Sequence, residues 1–278
     1  MRTSTKPLIT TPIKQVMKHF VTLLTCIFLF YGTVAWGECL KGDCVNGEGI
    51  FVNSDGGRYE GTFRNSSPDG PFIVTWPDGR KFSGNFSAGI KQGKWTQAFA
   101  DGSSCDCVYE NDKAVMGACK WKNGDRYEGE LKNDKMDGSG VYDYASGSKY
   151  VGSFKDGKRT GHGLYTLKSG VKYEGEFADG QITNGSITWL NGDSYNGDMK
   201  DGKMDGRGVL QRANGEKFEG DFADGKKNGY GTLYLVNGAR YEGGFKDDKK
   251  DGAGIETTPD GRRLQILYQD GKLVSGQK

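Results

Sequence analysis

The side chains able to do chemistry in this 278-residue chain are few and oddly placed. Histidine, the usual base near neutral pH, occurs twice: His19 lies in an apolar N-terminal run and His162 sits between Gly161 and Gly163. A general base needs a positioned partner and a cleft, and the surroundings of His162 offer neither. Glutamates recur at one equivalent position, Glu60, Glu128, Glu174, Glu219 and Glu242, each two residues after a Lys or Arg. Such a ladder resembles a row of acid/base groups, but the spacing is better read as surface ion pairs of modest value. Gly-x-Gly pairs at Gly138/Gly140, Gly161/Gly163, Gly206/Gly208, Gly229/Gly231 and Gly252/Gly254 lack the strand-loop-helix context and the Gly-Lys-Ser/Thr ending of a phosphate loop. With no catalytic constellation, the expectation is a protein that is not an enzyme and holds no cofactor, an unrecognised envelope hydrolase being the remote alternative.

Cysteine is the remaining reactive type. Cys39 and Cys44 are spaced to close a small loop, and Cys105, Cys107 and Cys119 form a second group. Cys119 falls on a strand expected to pair with the one carrying the other two, so one bridge is expected there, Cys107–Cys119 or Cys105–Cys119, with one thiol left over. Zinc is the competing reading, and the C-x-C-x11-C spacing lacks a fourth ligand.

The elements that carry these residues follow from a period. Tyr59, Phe82, Cys105, Tyr127, Tyr150, Tyr173, Tyr195, Phe218, Tyr241 and Leu264 stand 22 or 23 residues apart, and four residues after each comes another large side chain, from Phe63 to Tyr268. A fixed period near twenty signals a stack of small units, none able to bury its apolar face alone. In Lys149–Phe154, Tyr150, Gly152 and Phe154 share one strand face. Asp156-Gly157 supplies a tight turn, and a second strand runs through Gly163, Tyr165 and Leu167. An isolated hairpin is marginal in water, so the units must stack. The 46 glycines let rings lie flat on the backbone, while Arg/Lys-Tyr/Phe-Glu triplets keep the opposite face wet. The expected fold is all-β, an elongated, twisted, single-layer antiparallel sheet of about twenty strands.

The unit Tyr-x-Gly-x-Phe, followed by Gly-x-Gly and a closing Asp/Asn-Gly, resembles the MORN repeat. Tyr127-Glu128-Gly129-Glu130-Leu131, Tyr173-Glu174-Gly175-Glu176-Phe177 and Phe218-Glu219-Gly220-Asp221-Phe222 carry the likeness most closely. It extends over about residues 45–268, with departures at Phe72, at Trp95 and in the Cys105 unit. The opening Cys39-Leu40-Lys41-Gly42-Asp43-Cys44-Val45-Asn46-Gly47-Glu48-Gly49 also resembles the head of exported bacterial MORN proteins, and the family resemblance implies a scaffold, often dimeric, with proposed lipid contacts.

The resulting organisation is residues 1–37 as a secretory signal or signal anchor, 38–56 as an N-terminal cap and partial repeat, 57–263 as tandem repeats, and 264–278 as a capping strand and tail. The signal reading rests on four basic residues before the 17-residue apolar run Phe20–Trp36, with translation starting at Met1 or Met17. It implies a periplasmic, envelope-associated or secreted protein, in which disulfides are reasonable. Arg2, Lys6, Lys14 and Lys18 are unopposed by any acid before Glu38, and beyond them 34 basic residues face 36 acidic ones. That balance provides no basic stripe for nucleic acid and counts against electrostatic lipid binding. The candidate interaction face is the aromatic stripe Tyr127, Tyr150, Phe154, Tyr173, Phe177, Trp189, Tyr195, Phe218, Phe222, Tyr241 and Phe245, offered to a protein partner, to a second copy as a homodimer, or, in the alternative, to a membrane surface.

Overall fold

The structure, a computed structural model, describes residues 37–277, all strands and turns with no helix among them. The N-terminal signal lies outside the described residues. Two compact units appear, one of residues 37–147 with 153–158, the other of 148–152 with 159–277.

The first unit is an antiparallel meander of β1 (Glu38–Gly42), β2 (Glu48–Val52), β3 (Arg58–Arg64), β4 (Ser67–Thr75), β5 (Lys81–Ser87), β6 (Ile90–Ala98), β7 (Ser104–Glu110), β8 (Lys113–Lys120), β9 (Arg126–Lys132) and β10 (Lys135–Asp143). Each of these strands pairs with the next. Strand β11 (Lys149–Lys155) is divided between the units. The second meander comprises β12 (Lys158–Thr166), β13 (Lys172–Ala178), β14 (Gln181–Thr188), β15 (Ser194–Lys200), β16 (Lys203–Gln211), β17 (Lys217–Ala223), β18 (Lys226–Tyr234), β19 (Arg240–Lys246), β20 (Lys249–Thr257), β21 (Arg263–Gln269) and β22 (Lys272–Gln277). Residues 264–278 read from sequence as one capping strand and a tail. The structure instead pairs β22 with β21, because Asp270-Gly271 makes one more positive-φ turn.

The hairpin β17–β18 shows how a repeat is built. Asp224 and Gly225 have φ of 49° and 84°, the left-handed pair that a two-residue hairpin turn requires. Phe218 faces Leu233 and Gly220 faces Gly231, but Phe222 then faces Lys227. The seven-residue strand meets a nine-residue one, so the surplus forms a bulge at Gly229, whose φ is +119°. The two glycines of each Gly-x-Gly therefore do different jobs: the first absorbs the bulge, the second lies under a ring. The N–H freed after the bulge bonds an acid on the facing strand, Tyr230 N to Asp221 Oδ2 at 3.0 Å, Arg207 N to Asp198 at 3.2 Å and Ser139 N to Glu130 at 2.9 Å.

Successive hairpins are locked at both turn edges. Gly225 N donates to Met204 O at 2.8 Å, Asp224 N to Asp205 Oδ2 at 3.2 Å, and Lys203 pairs with Asp224 at 3.0 Å. The same pattern recurs at Gly271 N to Lys250 O, 2.9 Å, and Asp270 N to Asp251 Oδ2, 2.9 Å.

At the other edge, buried Asp193 accepts from Ala213 N at 2.9 Å, Arg212 at 2.6 Å and Asn191 at 3.0 Å. The Ala213 N–H holds its carboxyl below the usual carboxylate range, assisted by Arg212 and Asn191 and opposed by burial. A depressed folded-state pKa stabilises above the unfolded value and loses that contribution as pH falls through the folded value. Asp193→Asn is therefore expected to cost about 1–3 kcal/mol at neutral pH, toward the lower end because Arg212 remains half in solvent. The gap to the unmodified chain should narrow below about pH 4. Urea midpoints at neutral and acid pH measure this.

Candidate functional site

The aromatic stripe is the core. Tyr127, Tyr150, Phe154, Phe177, Tyr195, Phe218, Phe222, Tyr241 and Phe245 are all buried, with exposures of 0–5%. Tyr173 and Trp189 are half-buried. For Tyr127, Tyr150, Tyr195, Phe218 and Tyr241 the reason is a glycine pair beneath the ring. A Cβ on Gly163 would stand 2.3 Å from Tyr150 Oη, and one on Gly208 would stand 2.3 Å from Tyr195 Oη and Cε2. Each ring lies down over its own hairpin and is closed by an edge-on ring from the next: Tyr150 by Phe177 at 5.1 Å, Tyr195 by Phe222 at 5.2 Å, Phe218 by Phe245 at 4.8 Å. Burial pushes the Tyr195 phenol upward, with Asp198 adding to it, while its hydroxyl donates to Asp198 O at 2.7 Å. The stripe expected as an open contact face is spent on holding the repeats together.

Cations join this face, which the sequence reading missed. Lys227 lies 5.5 Å from the Phe218 ring and 5.7 Å from Phe245. Arg159 is buried among Tyr150, Tyr165 and Phe177 at 4.8–5.6 Å. Lys250 lies over Tyr241 and Tyr268 and pairs with Glu256 at 2.6 Å. Read linearly, Lys226-Lys227 and Lys249-Lys250 are small basic patches, but alternation along a strand sends the two members to opposite faces. Lys226 turns out to pair with Asp247 at 2.7 Å. The signal was the strand period carried through the doublet.

The outer face is open. Of the five basic-x-Glu pairs, Arg58–Glu60 and Lys217–Glu219 form ion pairs, each at 2.7 Å. His162 is exposed there, 3.8 Å from Glu174 and 3.5 Å from Glu176. Val151, Val209, Tyr230 and Leu267, all on this face of the second unit, are 42%, 36%, 57% and 40% exposed. In the first unit a shallow groove is lined by Glu60, Pro71, Phe72, Ile73, Ser83, Gly84 and Asn85. Glu60 is its one ionisable group, so it offers no acid/base pair.

Cys39 bonds Cys44 beside β1. In the second group, Cys105 rather than Cys107 bonds Cys119, since the register of β7 and β8 places Cys105 opposite Cys119 and Cys107 opposite Gly117. Cys107 is left as a buried free thiol.

These features define an all-β tandem-repeat protein whose unit is a glycine–aromatic hairpin. The MORN repeat profile matches six segments, residues 127–149, 150–172, 173–183, 195–217, 218–240 and 241–262, so MORN repeats are detected in this part of the chain. The hairpins before residue 127 repeat the same architecture with Phe72, Trp95 and Cys107 in glycine positions. Alsin of Rattus norvegicus is 32% identical over 87 residues, which are 31% of this chain and 4% of Alsin, so the chain spans a small fraction of that curated relative. Among solved structures, the TCP10 domain of Danio rerio CPAP is similar over 82% of this chain and 99% of that one, at 12% identity and a TM-score of 0.31. Virginiamycin B lyase from Staphylococcus aureus is similar over 85% of this chain and 89% of that one, at 9% identity and a TM-score of 0.17.

Proposed function

We propose that the chain is an exported, non-enzymatic MORN-repeat scaffold that binds a protein partner, or a second copy of itself, through the wet outer face of its repeats. The observation that carries this reading is the division of labour between the faces. The aromatic side is consumed by its own glycines, while the outer side leaves Val151, Val209, Tyr230 and Leu267 exposed among charges. Interfaces draw on such mixed surfaces, with aromatic and aliphatic anchors inside a polar rim. The basic and apolar N-terminal run is what supports export.

The double substitution Val209→Asp with Leu267→Asp, which puts carboxylates in place of two exposed apolar side chains, is expected to abolish crosslinking to the partner, or self-association measured by light scattering, without altering far-UV circular dichroism. Unchanged association in the folded double variant would sink the outer-face assignment. A second reading, contact with a lipid surface, draws on Leu190 and Val236, exposed by 76% and 67%. Co-sedimentation with liposomes that is lost in Leu190→Ser/Val236→Ser would favour it over the protein-binding reading.

A further inference from the structure

The residues left unused by this account are the three sulfurs of β7 and β8. Cys105, Cys107 and Cys119 are buried, at 2%, 4% and 6% exposure, and their Sγ atoms all lie within 4.8 Å of one another. Cys107 Sγ stands 2.8 Å from Cys105 Sγ. The convergence has a backbone cause. Gly117 faces Cys107, and the sulfurs of Cys105 and Cys119 lean into the space its missing side chain leaves, 3.3 and 3.4 Å from where a Cβ would be. Half-buried Leu131 covers them from the next strand.

Three soft donors without a fourth define the ligand. Among the described residues no His, Asp or Glu completes this group, whereas structural zinc takes four ligands. Thiolate sulfur selects soft, thiophilic ions. Charge then discriminates among them. Three thiolates around a monovalent ion leave two net negative charges in a buried setting, while a trivalent centre leaves none, and burial penalises uncompensated charge.

We propose that, once reduced, Cys105, Cys107 and Cys119 form a three-thiolate site for a trivalent thiophile of the arsenous acid class, closed whenever Cys105 and Cys119 are bonded to each other. Opening consumes one dithiol reductant, which passes two protons and two electrons to the Cys105–Cys119 bond, leaving two thiols, and itself becomes a disulfide. Capture changes no oxidation state. Each Sγ–H meets an As–OH, an S–As bond forms as As–O breaks, and the departing hydroxide takes the thiol proton and leaves as water. The ligand ends neutral and bound by three sulfurs.

The test uses the full chain carrying Cys26→Ser, Cys39→Ser and Cys44→Ser, so that Cys105, Cys107 and Cys119 are the remaining thiols. The reduced and oxidised forms are each incubated with arsenite, desalted, and read by native mass and by arsenic X-ray absorption. One arsenic per chain with three sulfur neighbours in the reduced form, and no retention in the oxidised form, is expected. Cys107→Ser should exchange one sulfur neighbour for oxygen and lose retention against competing dithiol. Two or fewer sulfur neighbours in the reduced parent chain, or equal retention by the oxidised chain, overturns the proposal. The coordination number is read on the parent, so the conclusion does not depend on whether Cys107→Ser folds.

Discussion

Tyr195→Ala is expected to destabilise the second unit by about 3–5 kcal/mol, the range for removing a buried aromatic ring. Tyr195 is 1% exposed, lies over Gly197 and Gly208, meets the edge of Phe222 at 5.2 Å and donates its hydroxyl to Asp198 O at 2.7 Å. Alanine removes all of these together. It also bares the glycine backbone beneath the ring. Because each repeat of such an array is stabilised mainly by its neighbours, the loss should spread outward from β15 and β16. Hydrogen exchange should accelerate most in these strands and in β17, with a lowered urea midpoint. Protection unchanged at Gly197 and Gly208 would show that the ring is not what seals the repeat.

The second large effect is the reciprocal substitution. Gly208→Ala is expected to cost about 3 kcal/mol, the upper part of the usual overpacking range. The new methyl would stand 2.3 Å from Tyr195 Oη and Cε2 and 2.4 Å from Cζ, and the ring is 1% exposed and closed by the edge of Phe222. Gly215→Ala is the contrasting control: nothing lies within 4 Å of its Cβ, and its φ of +95° costs about 1–2 kcal/mol from backbone strain alone. The mechanism is testable through a cycle. If the clash is with the ring, Gly208→Ala made in the Tyr195→Ala background should lose at least about 1 kcal/mol of its cost, a coupling within the range seen for touching residues. Full additivity would mean that Gly208 is required for its backbone and not for the ring above it. The tools are urea melts of the four chains with hydrogen exchange to localise each loss, since a repeat array need not unfold in a single step.

Much of this architecture is legible in the residues themselves. Alternation in Lys149–Phe154, the Asp-Gly turns and the 22- to 23-residue period are local signals, and each maps onto a strand, a positive-φ turn and a hairpin in the structure. The bulge was legible only in part. Gly-x-Gly marks the place, but assigning one glycine to the bulge and the other to the ring requires the register Gly220↔Gly231 and Phe222↔Lys227. The carboxylates Glu130, Asp198 and Asp221, which read as surface charges, turn out to bond the amides that the bulges release. The choice between Cys105 and Cys107 was likewise a question of register, settled by Gly117 standing opposite Cys107.

By itself, the sequence determined the repeat, its hairpins, their turns and the separation of an aromatic from a charged face, because each is encoded within a few neighbouring residues. Only the tertiary structure decided which face is free. Tyr195 and Phe222 stand 27 residues apart in the chain, and only stacking brings the second ring to the edge of the first. A ring over glycine is open or closed according to a neighbour that lies in the next repeat. That is why an aromatic stripe that reads as a binding surface in one unit becomes the buried core of many, and why the surface left for a partner is the one that each unit, read alone, presents as ordinary solvated strand.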